Sequence, residues 1–85
     1  MTSKQKELNK QEILTLLENK GFSKDRWGNY KKTITVSNEE RIYRFKICSN
    51  VMRYEIKSTY GWVRLSSGYW KDLTIVNNKI HGLKH

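Results

Sequence analysis

The sequence predicts an α+β fold in which an N-terminal helix packs on a twisted antiparallel sheet of roughly four to six strands. Apolar residues follow helical spacing only near the start of this 85-residue chain. Beyond Gly21, apolar and polar residues alternate, and turn-forming residues recur at intervals of roughly 8–12 residues. We therefore predict the order α-β-β-β-β, with a C-terminal hairpin as an optional addition. A chain of this size forms one domain, which we place at residues 9–85 after a frayed N-terminus at residues 1–8.

The helix has recognisable signals at both ends. Asn9 is placed to cap the first helical NH groups, and Glu12 stands three residues later, as in a capping box. These residues predict a helix that begins near Lys10, with a longer helix from Ser3 as the alternative. Gly21 predicts the end of the helix, because glycine adopts the left-handed conformation that commonly follows a last turn.

Turn signals divide the remaining chain into strands. Gly28 and Asn29 tolerate positive φ angles, so the segment from Trp27 to Tyr30 predicts a tight hairpin. Asn77 followed by another asparagine predicts a last hairpin. The predicted strands are 22–27, 30–36, 41–47 and 51–58, followed by shorter strands at 62–65, 73–76 and 79–81. Residues 66–68 are predicted to end the strand at 62–65.

Alternation in the third and fourth strands separates an apolar face from a basic one. Leu17 of the helix and Phe45 of the third strand are predicted to be buried against each other's elements. The apolar face is predicted to carry Tyr43, Phe45, Ile47, Met52, Tyr54 and Ile56, and the opposite face Arg44, Lys46, Arg53 and Lys57 as one continuous patch.

The charge of the chain favours a polyanionic partner. Lys and Arg number 17 against 8 Asp and Glu, which gives a net charge of +9, and most of this excess lies beyond the helix. Nucleic acid, single-stranded or duplex, DNA or RNA, is therefore the predicted partner, bound through phosphate contacts by a basic protein. The alternative is a protein-interaction module or inhibitor whose basic face covers an acidic surface of a partner protein. The predicted binding residues are Lys31, Arg44, Lys46, Arg53, Lys57, Arg64, Trp70 and Lys71.

Aromatic residues near turns are candidates for stacking on unpaired bases. The candidates lie next to turns or in the irregular C-terminal segment, and they are Trp27, Tyr60, Trp62, Tyr69 and Trp70. Trp62 is predicted to be buried, since Val63 and Leu65 indicate a covered strand. Trp70 is predicted to be exposed, because it follows a glycine and precedes two charged residues.

Composition argues against several classes of protein. A single cysteine, Cys48, allows no internal disulfide, and the N-terminus lacks the apolar core of a signal peptide, so we predict a cytoplasmic protein without membrane association. His81 and His85 lie near the C-terminus without a carboxylate or cysteine at metal-ligand spacing. We therefore predict no cofactor, no metal site and no catalytic residue. The oligomeric state is not specified by these features.

One segment resembles a known family. Residues 13–32, a helix followed by Gly21-Phe22 and a strand with a glycine turn, resemble the opening of the HicA-type mRNA-interferase toxins. That resemblance implies a fold similar to a double-stranded-RNA-binding domain and an RNase activity. In the family the turn leads to a catalytic histidine, whereas this chain has Gly28-Asn29-Tyr30 there. A small nuclease is thus a third reading of the chain, for which the sequence offers no acid or base.

Overall fold

The computed structural model describes residues 3–85, in which one helix and a C-terminal hairpin lie on the same side of an antiparallel sheet. Five strands form the sheet as a meander in chain order, and the last two strands form a separate two-stranded sheet. The fold is therefore α+β, as predicted. The elements are α1 (Ser3–Asn19), β1 (Ser23–Lys24), β2 (Tyr30–Val36), β3 (Glu39–Ile47), β4 (Val51–Ser58), β5 (Gly61–Tyr69), a 3₁₀ turn (Trp70–Asp72), β6 (Thr74–Val76) and β7 (Lys79–His81).

Helix α1 begins at Ser3, so the predicted start near Lys10 is wrong and the longer alternative is correct. Asn9 does not cap the helix, because it lies within α1. Its side-chain amide donates to the carbonyl oxygens of Trp70 and Leu73, each at 3.4 Å. A residue chosen as a cap is thus a tertiary contact between the helix and the 3₁₀ turn. Residues 1 and 2 of the segment predicted to be frayed lie outside the described residues.

The end of α1 is the predicted one. Gly21 has φ +93°, and its NH donates to the carbonyl of Glu18 at 3.1 Å. The NH of Phe22 donates to the carbonyl of Leu17 at 3.0 Å. This pair of bonds is the Schellman arrangement, which satisfies two of the carbonyls that a helix end leaves without partners.

The loop between β1 and β2 is longer than the predicted hairpin turn. Strand β1 has two residues, and the chain turns over residues 25–29. One carboxylate oxygen of Asp25 accepts the NH groups of Trp27 and Asn29, both at 2.9 Å. The NH of Asp25 donates in turn to the carbonyl of Asn29 at 2.8 Å. Asp25 therefore organises a loop that presents Trp27 at its tip.

Strand β5 continues through the residues that were predicted to break it. Tyr54 pairs with Ser66, whereas Glu55 pairs with Arg64, so Leu65 is the extra residue of a β-bulge. The small residues after the bulge leave room for the C-terminal hairpin, since a Cβ on Gly68 would lie 2.8 Å from a methyl group of Leu73. Glycine marks a close approach here rather than the end of the strand.

The core lies between the sheet, α1 and the C-terminal segment. Leu17 and Phe45 both belong to it, as predicted. Trp70 also belongs to it, with no exposed surface. The two-asparagine turn, with φ 52° and 62°, closes the predicted hairpin between β6 and β7. The buried core residues are Ile13, Leu17, Tyr30, Phe45, Met52, Trp70 and Leu73.

The C-terminal residues cover one edge of the sheet. Lys84 exchanges two backbone hydrogen bonds with Ser67 of β5, at 2.8 and 2.7 Å, and a ring nitrogen of His85 lies 2.7 Å from the carbonyl oxygen of Leu65. At the far end of the β2–β3 hairpin, Ile34 and Val36 remain exposed because α1 does not extend over them. No helix among residues 3–85 combines the length and the apolar character needed to cross a membrane.

Candidate functional site

The sheet face opposite α1 collects basic side chains from four strands. Directly paired residues of neighbouring strands point to the same face, and side chains alternate along each strand. One row across the sheet runs from Lys31 through Arg44 and Glu55 to Arg64, and a second joins Lys46 to Arg53. We call this surface the cationic face, and its basic residues are Lys31, Arg44, Lys46, Arg53, Lys57 and Arg64.

Arg44 is part of the protein's own framework rather than a free cation. Its Nη2 and Nε atoms donate to Oε1 of Glu55 at 2.6 and 3.0 Å. Only 15% of the Arg44 side chain and 9% of the Glu55 side chain are exposed. Glu55 therefore forms a cross-strand ion pair with Arg44, and this neutralised pair divides the predicted patch at its centre.

Lys46 and Arg53 face each other directly across the ladder between β3 and β4. Among residues with described side chains, neither of them has an ion-pair partner. Like charges placed directly opposite in a sheet are destabilising, by an amount comparable to the ~0.2–1 kcal/mol that favourable pairs contribute. The fold therefore carries an unrelieved repulsion on this face.

Lys31 occupies the end of the first row, beside the Asp25 loop. Its ammonium group lies 3.5 Å from one carboxylate oxygen of Asp25. Burial raises the pKa of Asp25, but the NH groups of Asn29 and Trp27 and the charge of Lys31 outweigh that effect and hold the pKa below its ordinary value. The carboxylate of Asp25 thus accepts hydrogen bonds that stabilise the loop and forms an ion pair with Lys31.

Two tryptophans flank the cationic face. Trp27 is 66% exposed, and the guanidinium carbon of Arg26 lies 4.3 Å from its ring centroid. Trp62 was predicted to be buried in the core, but it lies half-buried on the cationic face with the guanidinium carbon of Arg44 at 4.0 Å. The ammonium group of Lys31 lies 5.7 Å from the Trp27 ring and 5.8 Å from the Trp62 ring. These three residues line one groove, together with Lys46 and Lys57.

Trp70 was predicted to be an exposed binding residue, and this prediction is wrong. Its ring is fully buried, and its Nε1 donates to the carbonyl of Cys48 at 2.9 Å. Trp70 begins the 3₁₀ turn that follows β5, and this turn packs against α1. Trp70 consequently points toward α1 rather than toward the cations.

Lys71, the last predicted binding residue, is exposed but does not lie on the sheet. It belongs to the 3₁₀ turn, with its ammonium group 5.9 Å from the ring of Tyr69. A second groove lies nearby, and Arg53, Arg64, Tyr69 and Lys84 contribute to its lining. Lys84 is a cation that sequence reasoning missed, because only the backbone bridge from Lys84 to β5 brings it to this groove.

The segment that resembles the interferase toxins does contain a helix, Gly21-Phe22 and a strand, in that order. In the run Gly28-Asn29-Tyr30, where that family's turn leads to a histidine, Tyr30 is buried in the core with its hydroxyl 3.3 Å from a carboxylate oxygen of Glu18. Comparisons of the chain with protein-family models, with curated proteins and with solved structures find no match.

Proposed function

We propose that this chain is a small, non-enzymatic nucleic-acid-binding protein whose cationic face contacts the phosphate backbone. The observation that carries the proposal is the pairing of Lys46 with Arg53, two unneutralised cations held directly opposite each other. A basic surface that served solubility alone would be more stable with opposite charges across the strands. A polyanion laid over this face would relieve the repulsion and gain charge-assisted contacts.

The acids near the cationic face support a binding role rather than a catalytic one. Glu55 is held by Arg44, and Asp25 by its loop and Lys31. Neither carboxylate is free to act as a general base or to share a metal ion with a second carboxylate, the two roles that a carboxylate could have in phosphodiester hydrolysis. Because these acids are neutralised locally, the surrounding cations dominate the potential that a ligand meets.

The number of free cations sets the expected salt dependence. Lys46, Arg53, Lys57 and Arg64 offer about four phosphate contacts on this face, since Lys31 is already paired with Asp25. With a slope of about −0.7 per contact for a single strand or −0.9 for a duplex, raising the salt from ~50 to ~200 mM should weaken binding by roughly 50- to 150-fold. Such a slope distinguishes nucleic-acid binding from an interface built on apolar contacts.

The test is a fluorescence-polarisation titration of labelled oligonucleotides at these two salt concentrations. We expect binding at low salt that falls steeply as salt rises. The Arg53→Glu change on the cationic face should weaken this binding. Its matched control is Lys79→Glu, which makes the same change in net charge on β7, on the helix side of the sheet, and should leave most of the affinity intact. Absence of binding at low salt would contradict the proposal and favour the alternative, an acidic protein partner.

A further inference from the structure

We infer that the ligand of the cationic face is single-stranded nucleic acid, and that unpaired bases enter the groove between Trp27 and Trp62. The inference depends on the nucleic-acid binding proposed above and adds the structural class of the ligand. It rests on the placement of two indole rings among cations, which a surface that binds only a phosphate backbone does not need.

The first observation is the exposure of Trp27. An exposed tryptophan ring leaves a large apolar area in water, which a folded domain normally avoids. Here the ring is kept outside by an ordered loop, since the NH of Trp27 donates to Asp25 at 2.9 Å. A loop that holds an aromatic ring outward in a fixed position provides a stacking surface with little ordering cost on binding.

The second observation is the relation of the two rings to Lys31. Its ammonium group lies within 6 Å of both ring centroids, at 5.7 and 5.8 Å, so the rings flank one cation. A nucleotide has the same composition, with a flat base joined to a charged phosphate. A base against either ring would bring its phosphate within reach of Lys31, or of Lys46 and Lys57 along the groove.

The third observation is the fixed guanidinium beside Trp62. The ion pair with Glu55 holds Arg44, whose guanidinium carbon is 4.0 Å from the centroid of the Trp62 ring. This contact braces the ring in position before any ligand arrives. Arg26 lies against Trp27 at 4.3 Å and, among the residues with described side chains, has no ion-pair partner. It can therefore move to a phosphate when a base stacks.

Duplex nucleic acid does not match this groove. In a duplex the base faces are covered by neighbouring bases, and only the base edges and the backbone are accessible to a protein. Stacking on an indole ring therefore requires bases that are unpaired and free to leave their own stack. A sheet surface with aromatic side chains among cations suits a flexible strand whose bases turn toward the protein.

The experiment compares four ligands of about 12 nucleotides, within the range of single-strand site sizes. These are oligo-dT, oligo-rU, an abasic strand with the same phosphates, and a DNA duplex. The proteins are the full chain, Trp27→Leu, Trp62→Leu and the conservative Trp62→Phe, with Tyr60→Leu as a control for an aromatic residue that is 99% exposed and lies outside the groove. Thermal melts verify that each variant is folded.

We expect each Trp→Leu change to weaken oligo-dT or oligo-rU binding by roughly 5- to 150-fold, the effect of losing one stacked base. Trp62→Phe should recover part of this loss, and Tyr60→Leu should have no effect. Duplex and abasic binding should change by less than about twofold, since phosphate contacts carry them. A preference between the dT and rU strands would reflect the 2′-hydroxyl group and the thymine methyl group together, and a preference in either direction supports the inference.

Two outcomes would overturn the inference while nucleic-acid binding itself stands. One is equal affinity for the abasic and base-bearing strands, and the other is single-strand binding that Trp27→Leu leaves unchanged. Because Trp27 is largely exposed, its replacement does not remove a core residue, so a negative result could not be attributed to unfolding. Absence of binding to all four ligands would instead overturn the proposed function together with the inference.

Discussion

Replacing Arg53 by glutamate should stabilise the fold and weaken nucleic-acid binding at the same time. Arg53 is exposed on β4, directly opposite Lys46, and its other cross-strand neighbour is the uncharged Ser67. The Arg53→Glu change turns a repulsive cross-strand pair into an attractive one. If Arg53 were present only for stability, reversing its charge would not be expected to stabilise the fold.

The magnitude follows from the energy of exposed cross-strand pairs. Removing the repulsion and adding an attraction are each worth ~0.2–1 kcal/mol, so the free energy of unfolding should rise by about 1 kcal/mol. For a domain of this size that corresponds to an increase in Tm of roughly 4–8 °C. The neutral change Arg53→Gln removes only the repulsion and should give about half the increase.

Binding should move in the opposite direction. Loss of one phosphate contact should reduce the salt slope by about 0.7–0.9, and reversal of the charge adds repulsion from the backbone. Thermal melts followed by circular dichroism measure the first effect, and polarisation titrations at several salt concentrations measure the second. Lys79→Glu again serves as the control with the same change in net charge.

Two results would refute this reasoning. A lower Tm for Arg53→Glu would show that the pairing of Lys46 with Arg53 is not a source of strain. Binding equal to that of the unchanged protein would remove this face from the proposed interface. Arg44→Glu is unsuitable for the same purpose, because it would break the pair with Glu55 and place two carboxylates together in a largely buried position.

Three further changes test the fold around the site. Trp70→Ala and Phe45→Ala should each lower the free energy of unfolding by ~3–5 kcal/mol in denaturant melts, because both rings are buried in the core, and a change below about 1 kcal/mol would contradict that placement. Gly82→Ala should destabilise the C-terminal hairpin by ~1–3 kcal/mol, since φ is +107° and a Cβ would lie 2.5 Å from the carbonyl oxygen of Asp72; an unchanged melt would contradict this close approach. The carboxyl group of Asp25 should titrate below its ordinary pKa of 3.8 by carbon NMR. Because its pKa is lowered by folding, its stabilising contribution is present above pH 3.8 and is lost as pH falls through the lower folded value, and a midpoint at or above 3.8 would contradict the loop geometry.

Residues in regular alternation could be placed from the sequence, because the side-chain period of a strand is two and one face must meet the helix. Phe45 and Met52 are buried on the predicted face, and Arg44 and Lys46 lie on the other. The end of α1 could also be predicted, because a single glycine, Gly21, supplies the left-handed conformation that ends a helix.

The two tryptophans could not be placed in this way. Trp62 and Trp70 would share a face in an uninterrupted strand, but β5 has a bulge at Leu65 and ends before Trp70, which lies in the 3₁₀ turn. The residues around Leu65 carry no sequence signal for a bulge. In the folded chain, Leu73 packs against Gly68 beyond the bulge. Whether each of these two tryptophans is buried or exposed therefore depends on tertiary packing.

The division of the basic patch by the Arg44–Glu55 pair has a similar origin. Sequence spacing places Glu55 between Arg53 and Lys57 on its own strand, but the register between β3 and β4 gives it to Arg44. Strand register is fixed by the turn at residues 48–50 and by the core, and neither is a property of the charged residues themselves. The cations of this face could thus be named from the sequence, but the sequence does not show which of them are paired with acids.

The central claim is that the cationic face contacts nucleic acid, and the most direct measurement is a two-dimensional amide NMR titration of the labelled chain with a single-stranded oligonucleotide. Shifts are predicted for the backbone amides of Lys46, Arg53 and Ser67 and for the indole NH groups of Trp27 and Trp62. The buried indole NH of Trp70, bonded to Cys48, should remain unchanged. Shifts confined to α1 and the C-terminal hairpin, or no shifts at low salt, would contradict the account.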